Sequence, residues 1–380
     1  MLDLSRRTAF GDDHHAFRDQ VRKLFARELV PHLERWEAQG EIDRGFWRIA
    51  GEAGLLCPNV AEQYGGLGLD FGYNAVIDEE LGYAGSSAGI GLHSDIVAPY
   101  LTAYGSEALK QRWLPRMISG ETPTAIAMTE PAAGSDLQGI RTTAIKDGVN
   151  YVVNGSKTYI TNGQHAELVI VVAKTDPSEG ARGTSLILVE ADRPGFARGR
   201  NLDKIGLHGQ DTSELFFDEV RVPQSNLLGA EGMGFAYLMN QLPQERLGIA
   251  IGAQASAQRA FDEAVAFTRQ RQAFGRAVFE FQNTRFTLAD LAAKLQVGWA
   301  HLDWALARHM AGQLTAAEAS AAKLWHTDLQ WEVCDAALQL HGGAGYMNEY
   351  LIARLWRDAR VTRIFGGTNE IMKEVVARAI

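Results

Sequence analysis

Glu245 has the surroundings in this chain that most suggest chemistry, because it is an acid on an apolar helical stripe. The apolar positions of that stripe are Leu238, Leu242 and Ile249. Arg246 follows directly, and Pro243 removes a backbone N–H just before it. Two interpretations are open. Glu245 either lies at the rim of the protein, paired with Arg246 or another cation, or is a general base in a cleft whose apolar walls raise its pKa.

Polar segments flanked by glycine are spread along the chain and supply the other candidate site residues. They occupy residues 127–136, 157–163, 211–215, 271–275, 339–346 and 364–370. Their hydroxyls, cations and backbone N–H groups could line a ligand or cradle a phosphate. Each segment taken alone also fits an ordinary loop.

Several well-known enzyme signatures are missing from the sequence. It has no Gly-x-Gly-x-x-Gly, no Walker-type loop and no His-Glu-x-x-His, so a Rossmann domain, a phosphate-loop NTPase and a zinc protease lose their usual support. Residues 85–89 match Gly-x-Ser-x-Gly, but they follow a helical segment where a nucleophile elbow needs a strand. We interpret them as a flexible interhelical turn.

Composition indicates an ordinary soluble globular protein. The 380 residues are 46% hydrophobic and 22% charged, and the net charge of −9 opposes binding to nucleic acid or anionic membranes. Cys57 and Cys334 match no disulfide framework and no metal-ligand spacing, so we expect a reducing compartment and no metal site. No apolar run approaches the roughly 20 residues that span a bilayer, and no signal peptide is seen. We expect a cytoplasmic protein, or one of the mitochondrial matrix if it is eukaryotic and processed.

Hydrophobic periodicity divides the chain into a helical, a β and a second helical part. A helix capped by Asp12 or Asp13 and ended by Pro31 opens the first part. Short β-branched or aromatic runs follow at 151–153, 168–172, 185–189 and 215–217. The helical period returns after Gly229 and holds to the end. The predicted domains are helical at 1–122, antiparallel β at 123–230 and helical at 231–380.

Taken together and in this order, the six polar segments resemble the acyl-CoA dehydrogenase family over essentially the whole chain, and most closely its long-chain branch. The resemblance implies an α+β multidomain fold: an N-terminal α-helical domain, a middle antiparallel β domain and a C-terminal four-helix bundle. It also implies a homotetramer built as a dimer of dimers. A non-covalent FAD would lie between the β domain and the C-terminal helices, partly against a neighbouring subunit, which suits the missing Rossmann signature.

The family's reaction needs one base and a donor to the thioester carbonyl. An acyl-CoA loses its α-proton to the base and its β-hydride to flavin N5, giving trans-2-enoyl-CoA. A ribityl hydroxyl and a backbone N–H within 365–367 polarise the carbonyl. Most branches carry the catalytic glutamate at the position of Gly366, whereas the long-chain and isovaleryl branches carry it at that of Glu245. The resemblance therefore implies that Glu245 is the base and that Gly366 contributes only a backbone N–H, as a donor to the thioester carbonyl.

The resemblance assigns further residues to cofactor and substrate. Those expected at the flavin ring and N5 are Met128, Thr129, Tyr159, Thr161, Thr368 and Glu370. Those expected at the adenine and pyrophosphate end of a neighbour's FAD are Arg271, Phe274, Gln282, Gln339, Gly342 and Gly343. Ser135 is expected to reach a phosphate or the pantetheine of CoA, and the other substrate contacts are expected from Arg246, Gly366 and Gly367.

Substrate and partners rest on the resemblance alone. We expect a medium-chain, long-chain or branched acyl-CoA, used in fatty acid β-oxidation or branched-chain catabolism, and an electron-transfer flavoprotein as electron acceptor. Two alternatives stay open. A catalytically inactive CoA- or flavin-binding homologue would suit the missing acid at Gly366, and an acyl-CoA oxidase would use O2.

Overall fold

The computed structural model describes residues 7–380, and its N-terminal part is helical. The helices are α1 (Asp12–Glu28), α2 (Leu33–Gln39), α3 (Arg44–Glu52), α4 (Phe71–Ala84), α5 (Ala98–Tyr104) and α6 (Glu107–Ile118). Asp12 and Asp13 lie in the first turn of α1 and do not cap it, since Gly11 holds the cap position. A π-helical segment, Leu92–Val97, runs directly into α5. Such segments are frequent at functional sites.

One mixed sheet forms the middle of the chain. Its strands are β1 (Thr124–Ala127), β2 (Thr143–Asp147), β3 (Asn150–Thr161), β4 (Leu168–Lys174), β5 (Thr184–Glu190), β6 (Phe196–Asn201) and β7 (Thr212–Pro223). Their order is β1-β4-β2-β3-β7-β6, with β5 also paired to β4. The four predicted runs lie in β3, β4, β5 and β7.

The expectation of an antiparallel domain needs one correction. β4 runs parallel to β1 over four residue pairs, and parallel to β2 at Thr143 and Lys174. The other pairings of this sheet are antiparallel. β4 is buried along its whole length, and a continuous apolar run carries no signal of the direction in which its neighbours run.

The C-terminal part contains long helices. They are α7 (Gly234–Gln270), α8 (Gln282–Met310), α9 (Ala316–His341), α10 (Leu351–Thr362) and α11 (Asn369–Ala377), with a short hairpin of β8 (Gln272–Ala273) and β9 (Arg276–Ala277) after α7. The first four share one buried core that includes Phe261, Leu295, Val333 and Leu355, as a four-helix bundle requires. No helix among residues 7–380 combines the length and apolarity that a membrane crossing needs.

Helix α7 joins the three parts, and its first half lies where they meet. Leu247 and Ile251 belong to a core that also contains Trp36 of the N-terminal helices. Leu238, three turns earlier, belongs to a core shared with α6 and with Ile170 of β4. Pro243 does not end α7. The stretch around Glu245 is therefore held by both helical parts and by the sheet.

Candidate active site

A cleft of about 590 Å³ lies between the β domain, the π-helical segment and the first half of α7. Its walls contain nine of the residues expected from the sequence: Met128, Thr129, Ser135, Tyr159, Thr161, Glu245, Arg246, Gly366 and Gly367. These residues come from four separate stretches of the chain. A volume of this size is typical of a cofactor or substrate site.

Glu245 is a buried carboxyl on the α7 wall of the cleft. Glu245 is 7% exposed, and the hydroxyl of Tyr100 on α5 donates a hydrogen bond to its Oε1 at 2.9 Å. Burial raises the pKa of Glu245 to about 7, against the lowering effects of the Tyr100 hydrogen bond and of the charge on Arg246. A carboxyl with such a pKa is half ionised near neutral pH and can both take up and release a proton.

Arg246 does not form the ion pair that the rim interpretation of Glu245 requires. Its Nη1 donates to Ser320 Oγ on α9 at 3.1 Å, and its Nε reaches the carbonyl oxygen of Gly366 at 3.5 Å. Within residues 7–380, no ion pair joins Arg246 to Glu245. Arg246 is buried and ties α7 to α9 and to the turn after α10.

The turn that contains Gly366 and Gly367 is held by its carbonyl groups. Lys323 on α9 donates its Nζ to the carbonyl oxygen of Gly367 at 2.8 Å and to Asn369 Oδ1 at 2.9 Å. Burial, followed by the positive charge of Arg246, lowers the pKa of Lys323 to about 8. Within the described chain, the N–H groups of both glycines donate to no protein acceptor, so they are free to bind a ligand in the cleft.

Gly366 has a conformation and a neighbour that exclude most side chains. Its φ is +64°, in the left-handed region that favours glycine. A Cβ atom there would lie 2.3 Å from Cδ1 of Ile249 on α7. The residue therefore contributes only backbone to the cleft, and any acid introduced here would have to displace Ile249.

The opposite wall is positioned by a buried ion pair. Lys157 donates its Nζ to Glu130 Oε1 at 2.8 Å and to the carbonyl oxygen of Met128 at 3.0 Å. The backbone N–H of Thr158 donates to the carbonyl oxygen of Thr129 at 2.9 Å. The sheet register shifts between Lys157 and Ile160. This bulge leaves Tyr159, at φ +59° and 70% exposed, beside the cleft.

The cleft suits a flavin ring. The loop after β1 and the bulged part of β3 offer it an aromatic side chain, a threonine hydroxyl and backbone groups, while α7 opposes them with apolar side chains and Glu245. The free N–H at Gly366, where a Cβ would not fit beside Ile249, lies on the same cleft. An isoalloxazine and a thioester need hydrogen-bond donors and apolar walls in one cleft, and this cleft contains both.

The other expected cofactor residues lie outside this cleft. Arg271 follows the last residue of α7, and Phe274 in the hairpin turn is 97% exposed. Gln282 begins α8, while Gln339, Gly342 and Gly343 lie at the end of α9. The stacking of Phe267 on His341, with ring centroids 4.3 Å apart, brings the ends of α7 and α9 together. Glu245 and Arg271 are separated by roughly 40 Å of helix, so these two groups cannot contact the same end of one ligand bound to one chain.

Thr368 and Glu370 follow the glycine turn but do not line the cleft. The Thr368 hydroxyl caps α11 by accepting the N–H of Ile371 at 3.3 Å. Glu370 lies in the first turn of the same helix, where its charge favours the helix dipole. Their contacts within this chain are structural, and their contact with flavin stays a prediction.

Three residues in or directly behind the cleft wall were not identified from the sequence. Tyr100, the partner of Glu245, is 145 positions away from it along the chain. Asp78 on α4 and Asp95 in the π-helical segment also line the cleft. Asp78 directly precedes two other acids and so resembles a solvated charged run. Asp78 and Asp95 could have been found by the same signal as Glu245, an acid within a helical segment. Neither of them lies in so regular an apolar stripe.

Known proteins match this chain along its length. Family descriptions of the acyl-CoA dehydrogenase N-terminal, middle and C-terminal domains match residues 11–121, 125–220 and 232–380. Mitochondrial long-chain specific acyl-CoA dehydrogenase of Sus scrofa is 49% identical, with 100% of this chain and 89% of the relative covered. Mitochondrial isovaleryl-CoA dehydrogenase of Oryza sativa subsp. japonica is 36% identical, with 98% and 92% covered.

Solved structures extend the likeness to three dimensions. A crystal structure of acyl-CoA dehydrogenase from Geobacillus kaustophilus has a TM-score of 0.97 at 53% identity, covering 98% of this chain and 99% of that one. A glutaryl-CoA dehydrogenase from Mycobacterium smegmatis, solved in complex with FADH2, has a TM-score of 0.92 at 27% identity, with 99% and 96% covered. The chain belongs to the acyl-CoA dehydrogenase family, and it is a flavin-dependent oxidoreductase whose cofactor is FAD.

Proposed function

We propose that this enzyme dehydrogenates an acyl-CoA to trans-2-enoyl-CoA and that Glu245 abstracts the α-proton. The observation that carries the proposal is a buried carboxyl, with its pKa raised to about 7, in the cleft that also contains Gly366. No side chain at position 366 competes for the role of base. Residues other than glycine are disfavoured at this position because their Cβ would collide with Ile249.

The residues of the chain divide the work in this proposal. The free N–H of Gly366 donates to the thioester carbonyl and stabilises the enolate-like charge as the proton leaves. The Tyr100 hydroxyl holds the carboxylate of Glu245 in one orientation through its 2.9 Å hydrogen bond. The FAD, when bound, supplies the acceptor for the β-hydride. Burial of Glu245 by substrate excludes water from the proton transfer.

The resemblance placed Arg246 and Ser135 at the CoA portion of the substrate. Ser135 is exposed on the cleft wall and suits that role. The guanidinium of Arg246 is mainly committed to Ser320 and Gly366. We therefore propose that Arg246 acts first by holding the glycine turn and by lowering the pKa of Glu245, and that its remaining N–H groups face the substrate.

The acyl chain that this enzyme accepts is proposed to be medium, long or branched. A second cavity of about 190 Å³ shares Asp78 and Gly248 with the cleft, and its walls also contain Gly82, Gly89 and Gly252. The volume of this second cavity adds room for an extended chain. This supports the longer substrates of the long-chain relatives over short ones.

The remaining partners are proposed from family membership. A solved structure described as an electron transferring flavoprotein of Acidaminococcus fermentans matches this chain with a TM-score of 0.93 at 35% identity, covering 97% of this chain and 98% of that one. We propose an electron-transfer flavoprotein as the electron acceptor. The distant group around Arg271 suits a neighbour's FAD in a homotetramer. The location proposed is the cytoplasm, or the mitochondrial matrix in a eukaryote.

The experiment that tests the proposal is anaerobic flavin reduction by acyl-CoA. The Glu245→Gln enzyme should bind FAD and acyl-CoA but bleach about 10³-fold more slowly than the wild type. Glu263→Gln is a matched control, because Glu263 lies on the same helix, away from the cleft, and pairs with Arg259 at 2.9 Å. Normal bleaching by Glu245→Gln would remove Glu245 from the mechanism. Wild-type bleaching by an acyl-CoA excludes the inactive homologue, and rapid O2 consumption would favour the oxidase.

A further inference from the structure

Two carboxyl groups face the inner part of the same cleft. Asp78 of α4 and Asp95 of the π-helical segment line it together with Glu245 and Gly248. Gly248 lies three residues after Glu245 on α7, roughly 5 Å further along the helix. Asp78 also lines the second cavity. Because Asp78 and Gly248 line both the cleft and the second cavity, the two acids lie on the side of the cleft where that cavity adjoins it.

The two carboxyl groups converge on one another. A Cβ atom at Gly91 would lie 2.9 Å from Asp78 Oδ1 and 3.4 Å from Asp95 Oδ2. A Cβ atom at Gly248 would lie 3.3 Å from Asp78 Oδ2. Glycine is therefore found at both backbone positions that face the pair. The space in front of the carboxyl groups is kept free of protein side chains on these two sides.

A buried amide contacts the pair from behind the cleft wall. Asn74 of α4, which is 1% exposed, donates its Nδ2 to Asp95 Oδ1. Its own Oδ1 has no hydrogen-bond partner among the described residues. A buried polar atom without a partner is uncommon and costs free energy. The cluster therefore has hydrogen-bonding capacity that the protein itself does not fill.

Asp78 and Asp95 are joined by a side-chain hydrogen bond, which requires at least one of the two carboxyls to carry a proton. Burial raises the pKa of Asp95 to about 7, and the hydrogen bonds from Asn74 and Asp78 oppose that rise. Burial and the nearby charge of Asp95 also raise the pKa of Asp78 well above its ordinary value. At neutral pH the pair thus offers both a donor and acceptors. A hydroxyl group, which donates and accepts, is the small ligand group that matches it.

An unsubstituted alkyl chain fits this part of the cleft poorly. Once water is displaced, the polar atoms of the pair would lie against methylene groups, and a buried polar group without a partner destabilises the complex. A site built to hydrogen-bond a hydroxyl discriminates strongly against the analogue that lacks it.

We propose that Asp78 and Asp95 form a recognition site for a hydroxyl group on the acyl chain, a few carbons beyond the β-carbon, so that the enzyme prefers hydroxyacyl-CoA substrates over plain ones. The proposal rests on the proposed dehydrogenation at Glu245. To that reaction the new proposal adds a class of acyl chain and two specificity-determining residues.

The test compares lauroyl-CoA with a series of hydroxylauroyl-CoA isomers in which the hydroxyl is moved outward from the γ-carbon. The wild-type enzyme should reduce its flavin with at least one isomer at a kcat/KM about tenfold above that of lauroyl-CoA. Asp78→Leu should reverse this preference, whereas Asp78→Asn, which keeps the volume and a hydrogen-bonding group, should retain part of it. Because each variant is compared with itself on two substrates, a general loss of activity does not imitate the effect.

Binding gives a second measurement that does not depend on turnover. Titration of the Glu245→Gln holoenzyme with the same acyl-CoAs should show the same preferred isomer as a dissociation constant lower by about tenfold. The proposal is overturned if no isomer has a higher kcat/KM than lauroyl-CoA with the wild-type enzyme and no isomer binds more tightly than lauroyl-CoA to the Glu245→Gln variant. If Asp78→Leu does not fold, the wild-type preference and the binding series decide the question. Flavin that no acyl-CoA bleaches would instead contradict the proposed function.

Discussion

The reacting end and the acyl end of the cleft both bury carboxyl groups, yet they hold them in different ways. Glu245 has one hydroxyl donor, Tyr100, and a cation beside it. Asp95 has an amide donor, Asn74, and a second carboxyl beside it. Burial raises both pKa values to about 7.

The difference lies in what the partners permit. A carboxylate with one neutral donor can take up a proton and return to its starting state, as a general base must. A carboxyl pair that shares a proton presents a donor and an acceptor at the same time, which suits it to hold a hydroxyl group. A raised pKa therefore marks both groups as functional candidates, and the partners decide which function is proposed for each.

The largest effect is expected when the acid of the reacting end is moved. Glu245→Gly should lower the rate of flavin reduction about 10³-fold, and adding Gly366→Glu should restore little, because the new Cβ would lie 2.3 Å from Ile249 Cδ1. Adding Ile249→Ala as a third change removes that contact and should recover a larger part of the rate. Stopped-flow bleaching of the three variants measures this. Equal activity of the double and triple variants would show that Ile249 is not the obstacle.

The next largest effect should come from the turn that supplies the backbone donor. Lys323→Met removes the hydrogen bonds to Gly367 and Asn369, so the N–H of Gly366 should be less well placed and kcat should fall about tenfold. The matched control is Lys294→Met, an exposed lysine paired with Glu332. Lys323→Met should leave the pH dependence of kcat/KM centred where it was, because Lys323 does not contact Glu245. A large shift of that profile would contradict a purely positioning role.

The sequence predicted the elements of this fold better than their connections. The runs in β3, β4, β5 and β7 and the return of helix after Gly229 depend on local periodicity, which the sequence displays. β6 was missed because residues 196–201 contain two arginines, a glycine and an asparagine and lack β-branched residues. The direction of β4 depends on which strands lie beside it. The domain limits at 122/123 and 230/231 stay predictions.

The site residues that the sequence predicted also differ from those it missed in whether their signal is local. Glu245 was visible because an acid broke a regular apolar stripe, and Gly366 because a family resemblance expected an acid there. Tyr100 and Lys323 carried no such signal, since their contacts join residues 145 and 44 positions apart. Their side chains are ordinary in their own helices. Only the packing of α5 and α9 against the cleft gives them a role.

The pH dependence of the reacting end gives a smaller but more diagnostic effect. Since the base must be ionised, kcat/KM for the wild-type enzyme should rise with pH through an apparent pKa of about 7. Tyr100→Phe removes a hydrogen bond that lowers the pKa of Glu245, so the rise should move to higher pH. Activity should then fall several-fold below pH 7 and recover at high pH. An unshifted profile would mean that a group other than Glu245 controls the rise of kcat/KM with pH.

The smallest effect is expected at the acyl end, where volume instead of charge is changed. A Cβ atom at Gly252 would meet no protein atom within 4 Å, and Gly252 lines the second cavity. Gly252→Leu should therefore fill that cavity without a clash at its Cβ and lower kcat/KM several-fold for long acyl-CoAs, while medium-chain substrates keep theirs. Gly252→Ala is the control, and as a better helix former it should stabilise the protein by up to about 1 kcal/mol. A uniform loss across all chain lengths would place the end of the acyl chain elsewhere, and the pair at Asp78 would then lie off its path.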